Sequence, residues 1–156
     1  MAQQYERLCV LSLEEGLSLI ASGLDEVMIL GERVGVSSLR LQTFLFRGVH
    51  CNYDHCQYSG QYFAVERSPI KRPKPANPEH AAKYGRYHLN LWAKKENGDE
   101  LLFTHDHIIA QSLGGRNHIK NAQTMCFEHN MEKSRLESLV KMKLTASAKS
   151  DALIIL

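Results

Sequence analysis

Residues 100–135 read ELLFTHDHIIAQSLGGRNHIKNAQTMCFEHNMEKSR, and the rest of the chain is interpreted around this stretch. It holds four of the eight histidines of the protein, together with carboxylate, amide and thiol side chains. All of these groups bind metal ions or transfer protons in proteins. The residues concerned are His105, Asp106, His107, His118, Asn121, Cys126, His129 and Asn130. Their density in so short a segment requires a chemical explanation.

Composition describes an ordinary globular protein. The 156 residues are 44% hydrophobic and 23% charged, which predicts one soluble domain with a core of moderate size. The N-terminus lacks a basic region followed by a long apolar run, and the apolar runs at 27–30 and 152–156 are too short to span a bilayer. We therefore expect an intracellular protein, in which four cysteines favour metal binding over disulfides.

The net charge of +2 neither indicates nor excludes a nucleic-acid partner, but the positive charges are clustered. One cluster comprises Lys71, Arg72, Lys74, Lys83 and Arg86, and a second surrounds the opening stretch with Arg116, Lys120, Lys133 and Arg135. The first lies beside four prolines between positions 69 and 78, which predict a loop or a stiff arm. Two interpretations remain open for it: a connector with solvated charges, or a basic arm along a phosphate backbone.

Local signals predict most of the elements. Ser12 followed by Glu15 is typical of a capped helix start, and Ser38 begins a second helix that ends near Gly48. Residues 27–30 fit a strand or a helix equally well. Further expectations are a strand at 62–66, a hairpin from 87 to 103 that turns at 96–99, and a helix from 128 onward. We expect the apolar stripe of that helix, Leu136, Leu139, Val140 and Leu144, to pack in the core rather than form a dimer face.

The residue types suit phosphodiester hydrolysis, which needs a base for water and a Lewis acid at the phosphate. His107 could take a proton near neutral pH, while Asp106 and Asn130 offer the oxygen ligands that Mg²⁺ or Mn²⁺ prefers. Neighbouring side chains on a strand point to opposite faces, so Asp106 and His107 serve one site only if the chain turns or bulges there. Separately, Cys51 and Cys56 across a short turn provide half of a tetrahedral zinc site.

Three segments together resemble the HNH endonuclease family: THDHIIAQSLGG at 104–115, NAQTMC at 121–126 and HNMEK at 129–133. The resemblance covers about 49–138 and implies two strands and a helix around one catalytic metal. It implies that His107 is the general base and that Asp106 and Asn130 bind the metal. Asn121 would hold the intervening loop by hydrogen bonds, and Lys133 fits the ending of the family motif.

Many members of that family carry two Cys-x-x-Cys pairs that bind structural zinc. Here the pairs are Cys51-x₄-Cys56 and Cys126-x₂-His129, which would still form a closed Cys₃His site. His50 or His55 could replace one of these ligands. His129 should then face zinc while the adjacent Asn130 faces the catalytic metal. The role of His105 stays open between packing and orientation, and Cys9 is interpreted as a buried free thiol.

These observations predict an α+β protein with a ββα-metal core of the HNH type, stapled by structural zinc and preceded by a mainly helical extension. The expected segments are the extension at 1–48, the nuclease domain at 49–145 and a tail at 146–156. We expect a cytoplasmic enzyme of a bacterial host or a phage that cleaves DNA with Mg²⁺ or Mn²⁺ and needs no membrane. The expected nucleic-acid contacts are Lys71, Arg72, Lys74, Arg116, Lys120, Lys133 and Arg135.

Two other functions fit the same residues. One is a zinc-stabilised DNA-binding or regulatory module without turnover, and the other is a nuclease that acts on RNA. A homodimer is compatible with the sequence, and nicking or double-strand cleavage would depend on how many active sites the oligomer presents.

Overall fold

The computed structural model describes residues 4–68, 76–79 and 85–154, with the backbone alone at 152–154. These residues form one mixed sheet of seven strands together with α-helices. The strands are β1 (Glu6–Ser12), β2 (Glu26–Ile29), β3 (Glu32–Gly35), β4 (Tyr62–Arg67), β5 (Tyr87–Lys94), β6 (Glu100–His107) and β7 (Ala122–Cys126). The helices are α1 (Leu13–Ala21), α2 (Leu39–Arg47) and α3 (Phe127–Ile154). Mixed α and β structure agrees with the expected class.

The two N-terminal helices begin where the sequence predicts. The Ser12 hydroxyl accepts from the Glu15 amide at 3.1 Å, and the Glu15 carboxylate accepts from the Ser12 amide at 2.7 Å. These reciprocal bonds satisfy two amides that a helix start would otherwise leave unpaired. In α2 the Ser38 hydroxyl accepts from the Leu41 amide, and Gly48 ends the helix at a φ of 85°. Both helix predictions are confirmed.

The N-terminal region is mixed rather than mainly helical. Besides α1 and α2 it contributes β1, β2 and β3, so residues 27–29 of the ambiguous apolar run lie in a strand and Leu30 lies in the turn that follows. Strand β1 pairs antiparallel with β4, and β3 pairs parallel with β5. Short apolar runs such as these are too short to form a helix, and pairing with a neighbouring strand provides hydrogen-bond partners for their backbone N–H and C=O groups. The first 48 residues therefore share one sheet with the segment that carries the opening stretch.

Strand β5 is the centre of the sheet. It pairs with β4 along one edge, and its other edge pairs with two different strands, β3 and β6. Residues 87 and 88 pair with β3, whereas residues 91–94 pair with β6. The two partners thus diverge from β5 on either side of residues 89 and 90. On one face, α1 lies so close to β4 that a Cβ on Gly16 would come within 2.1 Å of the Phe63 ring.

The apolar residues of helix α3 do not pack as the sequence predicts. Leu136, Leu139, Val140 and Leu144 are 45%, 48%, 52% and 61% exposed, so the expectation that they pack in the core is wrong. The helix has 28 residues and is about 42 Å long at 1.5 Å per residue, whereas β7 has only five residues. Every side chain from 138 to 151 is exposed, so only the first part of the helix lies against the rest of the protein. Among the described residues, no helix combines the length and the apolarity that crossing a membrane requires.

Candidate active site and metal centre

The end of strand β6 carries Asp106 and His107, and α3 begins directly after its partner strand β7. Asp106 lies opposite Gln123 and His107 opposite Ala122, in a regular register without a bulge. The chain turns only after His107, where the Ile108 amide donates to the Asn121 carbonyl at 2.9 Å. Because side chains alternate along a strand, His107 shares a face with His105, and Asp106 points to the other face. No turn or bulge separates the two residues, and the expectation that both side chains serve one site therefore stays a prediction.

The His107 ring is held by Asn117, a residue to which the sequence assigns no role. His107 Nε2 lies 3.0 Å from Asn117 Oδ1. An amide oxygen only accepts, so Nε2 donates and the neutral ring has its lone pair on Nδ1. The His105 ring packs edge-on with its centroid 5.4 Å from that of His107. The arrangement leaves Nδ1 of His107 free to accept a proton from water.

Asp106 is only 8% exposed, and its carboxylate is bound on one oxygen. Oδ2 accepts from Gln123 Nε2 at 2.9 Å and from Lys133 Nζ at 2.8 Å. Within the part of the chain that the structure describes, Oδ1 accepts no hydrogen bond. A carboxylate with one oxygen fixed and the other free is a suitable ligand for a hard divalent cation.

Lys133 joins the end of β6 to the first turns of α3. Its ammonium group donates to the His107 carbonyl at 2.9 Å and pairs with Glu137 at 2.8 Å, in addition to Asp106. Desolvation lowers the pKa of Lys133, but its hydrogen bonds with Asp106 and Glu137 outweigh this effect and the pKa is raised. The lysine therefore stays charged and compensates the buried carboxylate.

Replacing Lys133 by methionine is expected to lower the free energy of unfolding by about 1–3 kcal/mol at neutral pH, because Asp106 loses its cation. The folded pKa lies above the unfolded one, so this contribution is present below the ordinary lysine pKa and is lost as pH rises through the folded pKa. Urea unfolding of both proteins at neutral and strongly alkaline pH measures it. Lys141→Met, at an exposed position of the same helix, is the control. A difference that stays constant up to high pH would contradict the ion pair.

Asn121 ties together the loop between β6 and β7. Its Oδ1 accepts from the Ile109 amide at 2.9 Å, and its Nδ2 donates to the carbonyls of Ile109 and Arg116 at 3.0 and 2.9 Å. The loop is tight, since a Cβ on Gly115 would lie 1.7 Å from the Ile109 carbonyl oxygen. The bonds hold this loop together, while the role of Asn121 in an active site stays a prediction.

Asn130 lies in the first turn of α3, one residue after His129 and half-buried. Its side-chain amide makes no hydrogen bond to any residue that the structure describes. The amide oxygen is therefore available to a ligand. Its role as a metal ligand beside Asp106 stays a prediction.

Cys51, Cys56, Cys126 and His129 form a cluster whose ligand atoms all lie within 4.8 Å of one another. The three thiols are buried, and His129 Nδ1 is 3.2 Å from Cys126 Sγ and 3.7 Å from Cys51 Sγ. Three thiolates and one imidazole are a donor set that zinc accepts in closed structural sites. The cluster could therefore bind a metal ion, with the same four residues that the sequence selects.

The cysteine turn at 51–56 is docked against β7. The backbone amide of Asn52 and its side-chain amide both donate to the Thr124 carbonyl, at 2.9 and 3.1 Å. His55 has the left-handed φ of 63° that lets this turn close. His55 and His50 are exposed, and His50 Nδ1 lies 2.7 Å from the Ser59 hydroxyl. Neither of these two alternative ligands belongs to the cluster.

In the absence of a cation, the surroundings of the cluster favour neutral thiols. Burial, together with the nearby Cys51 and Cys56, raises the pKa of Cys126 to about 12, although its backbone hydrogen bond with His129 opposes the shift. Burial also raises the pKa of Cys56. A divalent cation would supply the positive charge that stabilises the thiolates.

The sequence did not identify Tyr53, whose ring stacks on His129 at a centroid distance of 4.4 Å and fixes the plane of the imidazole.

The predicted nucleic-acid contacts are only partly visible. Lys71, Arg72 and Lys74 lie outside the described residues. Arg116, Lys120 and Arg135 are exposed, the first two in the loop between β6 and β7 and the third on α3. Lys133 is engaged in its two ion pairs. Cys9 is a free thiol that is partly rather than fully buried.

Residues 93–144 match the family model of the HNH endonucleases. The resemblance inferred from the three sequence segments is therefore confirmed over this part of the chain, which contains β6, β7 and the start of α3. The match indicates a nuclease-type function and, in general terms, a nucleic-acid partner. Neither the curated proteins nor the solved structures gave a match to this chain.

Proposed function

We propose that the protein is a metal-dependent HNH endonuclease that hydrolyses phosphodiester bonds of DNA. The observation that supports this most strongly is the arrangement of β6, β7 and α3 within the matched segment 93–144. It places a carboxylate with a free oxygen and an imidazole with a free nitrogen on adjacent residues, Asp106 and His107. We assign these strands and this helix to the ββα-metal core.

In the proposed reaction, His107 Nδ1 removes a proton from the attacking water. The water oxygen forms a bond to phosphorus, the bond from phosphorus to the 3′ oxygen breaks, and the departing oxygen takes up a proton from solvent. The products carry a 5′ phosphate and a 3′ hydroxyl. Asn117 keeps the proton of the neutral imidazole on Nε2, and Asn121 holds the loop that carries Asn117.

Asp106 and Asn130 would hold one Mg²⁺ or Mn²⁺ ion, which when bound polarises the phosphate and stabilises the leaving oxygen. The donor set fits such an ion, because both residues offer oxygen atoms without protein partners among the described residues. Lys133 and Gln123 fix the other carboxylate oxygen and so orient Asp106. Zinc in the Cys₃His cluster has a structural role, since four protein ligands leave no open position.

Cleavage of supercoiled plasmid and of branched DNA in Mg²⁺, Mn²⁺ or EDTA tests the proposal. Wild-type protein is expected to cleave only with a divalent metal. Asp106→Asn removes a charged ligand, so activity should fall roughly 10- to 100-fold and partly recover as the Mn²⁺ concentration is raised. Tight DNA binding without cleavage in any metal would favour the regulatory module instead. Faster cleavage of RNA than of DNA would reassign the substrate.

A further inference from the structure

A cleft of about 990 Å³ opens where β3 and β6 diverge from β5. Its walls come from the start of α2, from the start of β5 and from β6 with the following loop. The lining includes Arg40, Arg86, His88, Thr104, His105 and Asn117. The last three adjoin the candidate catalytic residues, because His105 precedes Asp106 and Asn117 bonds to His107. The first three lie before residue 93, outside the segment that the family model matches.

Arg40 projects from α2 into the gap between the two diverging strands. One nitrogen, Nη2, donates to the Leu89 carbonyl at 3.1 Å, at the point where β5 has neither β3 nor β6 as a partner. Its other N–H groups have no hydrogen-bond acceptor among the described residues. A guanidinium group has five donors in a fork that matches phosphate oxygens. Most of this capacity is unused.

The carboxylates near Arg40 do not neutralise it by direct contact. Glu66 is 1% exposed and already accepts from Arg7, Asn90 and Trp92. Glu26, at the mouth of the cleft, pairs with Arg33 and Arg86. The other carboxylate of the lining is Asp25, which is exposed. A charged and largely desolvated guanidinium without a directly bound anion is an anion-binding group.

The wall formed by β6 has an unsatisfied polar atom of its own. His105 Nδ1 is buried and has no hydrogen-bond partner among the residues that the structure describes. A buried polar atom without a partner is costly, so it indicates a ligand, a water or a functional role. His105 shares its strand face with His107, with 5.4 Å between the ring centroids. His105 thus lines the cleft and also packs against the residue proposed to act as the base.

We propose that this cleft binds an unpaired nucleotide segment of the DNA strand adjoining the scissile phosphate, with Arg40 on a phosphate and His105 as a polar contact. The inference rests on the proposed nuclease function and assigns part of its substrate recognition to the N-terminal region. The volume lies in the range of pockets that enclose small ligands, whereas a duplex is bound on an open surface or in a groove. Single strands are bound in positively charged grooves and channels that combine cations with aromatic rings.

Fluorescence anisotropy in EDTA tests the cleft without cleavage. The probes are a labelled oligothymidylate of 12 nucleotides and a labelled 12-base-pair duplex. Arg40→Gln is expected to weaken binding of the single strand at least about 10-fold and binding of the duplex less than about 3-fold. Arg40→Lys, which keeps the charge but not the fork, should lie between wild type and Arg40→Gln. The control is Lys94→Gln, which removes an exposed cation at the end of β5 outside the cleft lining and should bind as wild type does.

The results separate this proposal from the nuclease assignment. Wild-type affinity of a folded Arg40→Gln protein for the single strand would overturn the cleft proposal. An equal loss for single strand and duplex would also overturn it, since Arg40 would then be a general phosphate contact. If Arg40→Gln fails to fold, the same comparison with His88→Ala decides between these outcomes. If the protein binds the single strand through Arg40 but cleaves no DNA, the cleft proposal is supported and the proposed nuclease function is refuted.

Discussion

Replacing His107 by alanine is expected to reduce metal-dependent DNA cleavage about 10²- to 10⁴-fold, which is the usual contribution of a positioned general base. The effect should fall on turnover rather than on DNA affinity, because His107 acts on water. The variant should fold normally, since the side chain is only half-buried and its one polar contact with the described residues is to Asn117 at 3.0 Å. Single-turnover cleavage under saturating protein measures the chemical step directly.

His118→Asn is the matched control for His107→Ala. His118 is an exposed histidine of the same loop, and its Nδ1 accepts from the Lys120 amide at 3.1 Å, a bond that an asparagine oxygen can replace. This variant should cleave as wild type does. Asn117→Ala should lie between the two, because the imidazole then loses the bond that fixes its tautomer but keeps its basic nitrogen. Equal cleavage by His107→Ala and wild type would rule out His107 as the base.

Local signals in the sequence predicted the helices, the strand at 62–66 and the hairpin of β5 and β6, but not the long-range pairings of the sheet. The Ser12 and Glu15 cap is complete within four residues, so its geometry follows from sequence alone. The pairing of β1 with β4 joins residues such as Arg7 and Glu66, which are 59 positions apart. Short apolar runs do not specify their partners, and the N-terminal region was therefore expected to be mainly helical.

The same division applies to the candidate site. Spacing and residue type were sufficient to select Cys51, Cys56, Cys126 and His129, because zinc restricts its ligands to a few residue types. They were not sufficient for Asn117, Tyr53 or Arg40, whose contacts depend on loop and strand geometry. The stripe on α3 was misplaced for a further reason. Its periodicity indicates an apolar face, but only the three-dimensional structure reveals that this face is exposed.

The cysteine cluster should have the largest effect on stability. Wild-type protein purified without chelators is expected to contain one equivalent of zinc, and Cys51→Ser much less. The free energy of unfolding of that variant should fall by at least about 3 kcal/mol, because binding of a structural zinc ion contributes directly to folding. Cys9→Ser is the matched control, since Cys9 is a partly buried cysteine outside the cluster and should retain the metal. Elemental analysis and urea unfolding measure both quantities.

Loss of zinc should also disturb the proposed catalytic centre, because the two sites are adjacent at the start of α3. Cys126 ends β7, His129 lies in the first turn of α3, and Asn130 follows His129 directly. Without the metal, three buried thiols and an imidazole no longer fix this turn, so Asn130 loses its position relative to Asp106. Zinc removal from wild-type protein should therefore lower both stability and cleavage, whereas His107→Ala lowers cleavage alone. If the purified protein contains no zinc and Cys51→Ser is as stable as Cys9→Ser, the cluster is not a structural zinc site.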